Sequence, residues 1–113
     1  MEQCIFCKII NKEAPAQIVY QDEKTLAFKD ISPKAPVHIL IVPKKHIETI
    51  EHIEDNDKEL IGELFIAAKK IARSQGVSKT GYRLTFNVGR DAGQMVDHLH
   101  LHLLGGKNMP FAT

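Results

Sequence analysis

The apolar positions of this chain change period several times, and each change marks an element. Ile5, Phe6, Ile9 and Ile10 recur at helical spacing, which predicts a short amphipathic helix over Ile5–Asn11 that Pro15 keeps from running on. Two runs rich in β-branched and aromatic residues follow, Ile18–Gln21 and Thr25–Phe28. Asp22-Glu23-Lys24 separates them with hairpin length. A rigid loop with Pro33 and Pro36 leads into His38-Ile39-Leu40-Ile41-Val42, nearly all apolar and closed by Pro43, the pattern of a buried central strand.

The period then becomes 3.6. A long helix is predicted over Asp57–Gln75, with Asn56 as its cap, Glu59 as the capping-box partner and Gly76 as its stop. Leu60, Ile61, Leu64, Phe65, Ala68, Ile71 and Ala72 form a stripe wider than one edge of a small sheet usually requires. Periodicity alone suits a fully intramolecular core helix or a partial contact with a second subunit equally well. Arg83–Val88 and His98–Leu104 complete the strands, joined by a glycine-rich loop over Gly89–Gly93. No repeat or linker divides the chain, so residues 1–113 read as a single domain. Its class is α+β, with an antiparallel sheet of about five strands, one long helix and one short one.

Composition narrows the partners. A formal charge of +1 with mixed signs gives no basic stripe, which argues against a nucleic-acid polymer. No segment approaches the roughly twenty apolar residues of a membrane span and no secretory leader is visible, so a cytoplasmic protein is expected. The two cysteines, Cys4 and Cys7, cannot build a disulfide framework, and their spacing suits a metal or redox pair.

Alternation places His98, His100 and His102 on one strand face and turns Leu99, Leu101 and Leu103 to the other. Neighbouring rings on that face stand roughly 6–7 Å apart, so two flanking rings reach a group held at the middle one. The residues alone leave open an anion site, a metal site using all three rings, and a row of solvated histidines. Asn87, Gly89, Gly93 and Gln94 beside the strand favour an anion, because glycines let backbone N–H groups approach phosphate and the two amides orient its oxygens without adding charge. A neutral imidazole is a competent nucleophile at phosphorus near pH 7.

The segment His98-Leu99-His100-Leu101-His102-Leu103-Leu104 resembles the motif of the histidine-triad (HIT) family. Asp30-Ile31-Ser32-Pro33, the run from His38 through Val42-Pro43-Lys44-Lys45-His46, and Gly93-Gln94 resemble its other signatures in the same order. The ending Leu104-Gly105-Gly106 is similar to the nucleotide-binding branch that hydrolyses purine nucleoside phosphoramidates. The resemblance implies a HIT-like sheet extended across a homodimer, with His100 as the nucleophile that forms a nucleotidyl-histidine. It implies that His102 and His38 bind phosphate oxygens and assist proton movement, and that Asp30 holds the ribose. Ile5, Phe6, Ile9, Phe28 and Ile31 would wall the purine, with Asn87, Gly93, Gln94, Met95 and Leu101 completing the nucleotide site.

Two positions depart from the family. Met95 stands where phosphoramidate-cleaving members often carry a serine that hydrogen-bonds the leaving group, and Asp97 replaces a frequent aromatic. The resemblance also implies a structural zinc on Cys4, Cys7, His46 and His98, closed to catalysis by its four ligands. No organic cofactor is implied. The expected activity is therefore hydrolysis of a P–N bond at the α-phosphate of a purine nucleotide. The alternatives are a dinucleoside polyphosphate hydrolase or nucleotidyl transferase, and a nucleotide-sensing scaffold with little turnover.

Overall fold

The computed structural model describes residues 4–110. Its elements run α1 (Ile5–Ile10), β1 (Ile18–Gln21), β2 (Thr25–Lys29), β3 (Val37–Pro43), α2 (Lys58–Ser74), β4 (Tyr82–Thr85) and β5 (Leu101–Gly105), with 3-10 turns at Ile50–His52, Asp55–Asp57 and Arg90–Ala92. The strands form one antiparallel sheet in the order β1-β2-β3-β5-β4. Thus the apolar run from His38 to Val42 does take the central place. No helix among the described residues is long and apolar enough to cross a membrane.

The two sheet faces are covered unequally. On one, Ala27, Ile39, Ile41, Leu101 and Leu103 pack against Leu64, Ala67, Ala68, Ile71 and Ala72 of α2, all buried. Burial of each large aliphatic side chain there contributes on the order of 1.5–3 kcal/mol. On the other face Phe6 of α1 packs with Leu26, Phe28, Leu40 and Val42. The six residues of α1 span only part of that face, which leaves the His38 and His102 region without a helix over it.

Helix α2 ends as its sequence predicts. Gly76, at φ +77°, ends the helix while its N–H meets Arg73 O and the Val77 N–H meets Ala72 O, the paired bonds of a Schellman motif. Val77 is thereby buried against β5, so close that a side chain at Gly105 would stand 3.0 Å from its Cβ. The start of the helix differs from expectation. The capping box joins Glu54 and Asp57 across a 3-10 turn, so Asn56 is inside that turn and caps nothing. One further expectation needs correction: Ile5 of the amphipathic helix faces outward at 44% exposure. In α2, Phe65 of the predicted stripe is exposed at 42% and its neighbour Ile66 at 55%, with Phe65 touching Phe86 edge-on beyond the edge strand β4.

Strand β5 starts at Leu101, three residues later than the alternation suggests, and β4 stops at Thr85 rather than Val88. Pro43 ends β3 opposite, since it has no N–H with which to continue the ladder. Before β5 the chain is held to the core by the Leu99 N–H, which donates to Ile47 O at 2.6 Å, and Leu99 is buried on the α2 side.

Candidate functional site

Leu99, Leu101 and Leu103 pack on the α2 side, and the imidazoles lie on the opposite face, that of α1 and Phe6. The three rings nevertheless do not serve one centre. His98 joins the N-terminal cysteines, whereas His102 turns toward β3 and His100 lies between. A single metal site on all three is therefore excluded.

Around His98, four donor atoms from three segments converge. Cys4 and Cys7 come from the start of α1, His46 from the loop that Pro43 opens, and His98 from the segment before β5. The His98 Nδ1 lies 3.5 Å from Cys4 Sγ, 3.6 Å from Cys7 Sγ and 3.2 Å from His46 Nδ1, and Cys7 Sγ lies 3.2 Å from His46 Nδ1. Donors held about 2.0–2.3 Å from a tetrahedral metal are separated by about 3.3–3.8 Å, so the four are spaced as one coordination shell. The His98 Nε2–H donates to Pro43 O at 2.9 Å, which leaves Nδ1 bare toward the cluster. Burial, joined by the adjacent Cys4 sulfur, pushes the Cys7 thiol up to about 11. A cation among these donors would reverse that, since coordinated thiols lose their proton. The residues thus fit a closed tetrahedral cation site.

Around His102 the contacts differ. Leu40 faces His102 and Leu104 faces His38 across the β3–β5 ladder, so the two histidines are diagonal neighbours on one sheet face. Their rings meet with His38 Nε2 at 3.0 Å from His102 Nδ1, and Asp30 Oδ2 lies 3.4 Å from the same Nε2. The Lys34 N–H donates to His38 Nδ1 at 3.1 Å. A metal on His38 Nε2 would need the ring hydrogen on Nδ1, opposite that amide hydrogen, so this trio is built for hydrogen bonds rather than for an ion. Asp30 is held by its own turn, its Oδ1 accepting the Ser32 N–H at 2.8 Å.

His100 is 8% exposed and wedged edge-on against Phe6, with ring centroids 5.2 Å apart. Its Nδ1–H donates to His98 O at 2.7 Å, so Nε2 carries the lone pair. Burial lowers the pKa of His100, against the opposing pull of the His98 carbonyl and Asp30. Burial, then the neighbouring His100 and His38, takes His102 down to about 4, and burial also lowers His38. At neutral pH the site therefore offers neutral rings, one with a free lone pair.

The remaining predicted residues divide. Asp30, His38, His100 and His102 come together with Phe6 behind them, while Phe28 and Ile9 belong to the core packed under α1. Ile31 stands beside Asp30 at 95% exposure, an apolar side chain with nothing over it. The Leu101 side chain faces the other way, buried in the α2-side core, because alternation that presents the histidines turns it inward. Gln94 is likewise spent on protein: its Oε1 accepts from Gly89 N, and its Nε2 donates to Glu48 O and Val96 O. Asn87 Nδ2 donates to Ala92 O within the glycine loop, where Gly93 takes a left-handed φ of +83°. Met95, 92% exposed, lines a cavity of about 350 Å³ with Ile5, Glu48, Val96 and Asp97 that reaches Cys4 and His46. Sequence reasoning missed the backbone partners, the Lys34 amide and the Pro43 and His98 carbonyls, for which only the prolines around them give a signal.

The HIT domain family model matches residues 11–109. The purine nucleoside phosphoramidase of Escherichia coli (strain K12) is 47% identical over 106 residues, spanning 94% of this chain and 89% of that protein. Among solved structures, a HIT family hydrolase from Legionella pneumophila Philadelphia 1 superposes with a TM-score of 0.95 at 53% identity, covering 97% of this chain and 98% of its own. A HIT family hydrolase from Clostridium thermocellum gives 0.97 at 47% identity over 100% of this chain and 99% of that one.

Proposed function

This chain belongs to the HIT domain family, and on that premise we propose that it hydrolyses purine nucleoside 5'-phosphoramidates through a nucleotidyl-histidine intermediate on His100. The bond from His100 Nδ1–H to His98 O supports this reading most directly, because it leaves Nε2 bare at neutral pH. The lone pair on Nε2 attacks the α-phosphorus as the P–N bond to the leaving amine breaks; the amine departs with a proton from solvent, which the attacking water returns in the second step. The phosphorylated ring is cationic, and the His98 carbonyl stabilises it by accepting from Nδ1–H. Water then attacks phosphorus, the phosphorus–His100 bond breaks, and the nucleoside monophosphate leaves with His100 restored. His102 holds a phosphoryl oxygen with His38 behind it, ring to ring, while Asp30 accepts from the ribose hydroxyls beside Ile31. The activity named for the Escherichia coli relative fits this reading, while Met95, in place of a hydrogen-bonding serine, marks leaving-group preference as the feature most open to change.

Zinc on Cys4, Cys7, His46 and His98 is the second part of the proposal. When bound it supplies structural cross-linking: two thiolates and two imidazoles tie α1 to the loop after β3 and to the segment that carries His100. A homodimer is the third part. The exposed Phe65 touches Phe86 just past β4, the outer strand of the sheet, where a second copy would extend it, and Ile66 beside it is exposed too; solution mass measures it.

His100→Gln, assayed on an adenosine phosphoramidate, tests the central step. Loss of about 10³-fold or more in kcat, with a nucleotidyl adduct trapped on the wild type but absent from the variant, is the expected result. Undiminished turnover in the variant excludes covalent catalysis by this ring. Comparable turnover of diadenosine polyphosphates would favour the related polyphosphate reading.

A further inference from the structure

We propose that the main-chain N–H of Lys34 is a positioning group for the reaction, fixing which nitrogen of His38, and through it which nitrogen of His102, carries hydrogen. The inference deepens the reading of His102, backed by His38, as the phosphate-binding residue and rests on it. An amide N–H meets only a lone pair, so its 3.1 Å contact makes His38 Nδ1 bare. This excludes both the Nδ1–H tautomer and the doubly protonated ring. The hydrogen of His38 is then on Nε2, 3.0 Å from His102 Nδ1 and 3.4 Å from Asp30 Oδ2. His102 Nδ1 must accept it, which leaves the hydrogen of His102 on Nε2.

The consequence is directional. A single backbone donor sets an uncharged relay that ends in an N–H free for a phosphoryl oxygen. With the amide hydrogen removed, His38 is able to hold its hydrogen on Nδ1 and accept from His102, whose Nε2 would then oppose that oxygen with a lone pair. The position of the donor follows from sequence: Pro33 and Pro36 bracket Lys34 and restrict the loop that brings its N–H over the His38 ring. Asp30 supports the same tautomer from the other side, since a carboxylate favours hydrogen on Nε2.

The test replaces the Lys34 amide by an ester in the full-length chain, installing the α-hydroxy acid with the lysine side chain. A chain made by the same route with Lys34 itself is the reference. Nitrogen-15 shifts of the His38 and His102 rings are read with AMP bound, and steady-state hydrolysis of an adenosine phosphoramidate is measured alongside. The reference should carry hydrogen on Nε2 of both rings. In the ester chain Nδ1–H forms should appear on both, with kcat lower by about tenfold and KM changed by less than about twofold. Lys34→Pro, which also removes the N–H, should shift the rings the same way. Hydrogen on Nδ1 of His38 in the reference overturns the proposal without any variant. Unchanged ring shifts in the ester chain overturn it, as do altered shifts with unaltered kcat. The ring shifts are read whether or not the reference turns over the phosphoramidate, so failure of this inference and failure of the hydrolase reading give different results.

Discussion

Two clusters draw on one run of alternating histidines, and their short contacts differ in kind. Around His98 the close approaches are between donor atoms that face one another: two sulfurs and two Nδ1 atoms, with the His98 hydrogen committed outward to Pro43 O. Around His102 each close nitrogen contact has a hydrogen assigned to it by a backbone amide or a carboxylate. Two sulfurs and two ring nitrogens converging at coordination spacing fit a cation, whereas a chain of alternating donors and acceptors fits a neutral phosphate-binding relay. His100 stands between them and borrows its tautomer from the backbone of His98. The lesson is that identical side chains at equal spacing acquire opposite chemistry from whatever holds their second nitrogen.

The largest effect separates the two clusters by function. His100→Gln should reduce phosphoramidate turnover by about 10³-fold or more, equivalent to about 4 kcal/mol of transition-state stabilisation. Metal content and the thermal midpoint should stay near those of the wild type, because the His98 ligands are untouched. Metal analysis and calorimetry on the same preparation check this. Loss of metal with the substitution would break the division between the two clusters.

Stability should respond in the opposite pattern. Cys7→Ser or chelation is expected to lower folding stability by about 3 kcal/mol, roughly 12–24 °C in thermal midpoint for a domain near this size. Three segments distant in sequence lose their common tie, among them the one leading to His100. Denaturation with and without chelator measures it. A midpoint insensitive to chelator would mean that the cluster holds no structural cation.

These contrasts also mark how much was legible in the sequence. The central strand, the α2 stop at Gly76 and the order of the elements follow from apolar runs, prolines and glycine. The grouping of Cys4, Cys7, His46 and His98, and of Asp30 with His38 and His102, came through the family resemblance. Spacing alone left all three strand histidines as candidates for a single metal site. What stayed illegible lies in the main chain. The amide above His38, the carbonyls beneath His98 and His100, and the capping by Glu54 rather than Asn56 depend on where loops close, and residue type says little about that. Strand alternation already turned the Leu101 side chain toward α2, where it packs.

Acid should weaken the relay next. Folded His102 sits at about 4 against the ordinary 6.5, held there by burial and then by His100 and His38. Between these values the unfolded chain binds the proton and the folded chain does not, so stability is present in full above about pH 6.5 and declines as pH falls toward 4. His38 is lowered in the same direction. The expected loss across that window is on the order of 2–3 kcal/mol for His102, measured by denaturant titrations at several pH values. The test compares wild type with His102→Asn, which should make the limb shallower while His98, His100 and His38, also lowered by burial, keep part of it. An unchanged limb in the variant would assign the titration to other groups.

The smallest effect concerns the tie between the two regions. Gln94 uses its whole amide on backbone, accepting from Gly89 N at 2.8 Å and donating to Glu48 O at 2.8 Å and Val96 O at 3.0 Å. It thereby clips the glycine loop and the segment approaching His98 to the loop that follows His46, next to the Leu99 N–H bond to Ile47 O. Gln94→Glu keeps the acceptor and loses both donations, setting a carboxylate against two carbonyls. About 1–2 kcal/mol of stability should be lost, because Gln94 is only part-buried and water reaches some of the released groups. The loss should carry a signature: metal affinity should fall with it, since Val96 and Glu48 each lie two residues from a proposed ligand, while the His38 and His102 tautomers, set from the Lys34 side, should remain as they are. Ring nitrogen shifts and a metal competition titration on the variant read both. Shifted tautomers with intact metal affinity would reverse the assignment of Gln94 to the His98 side.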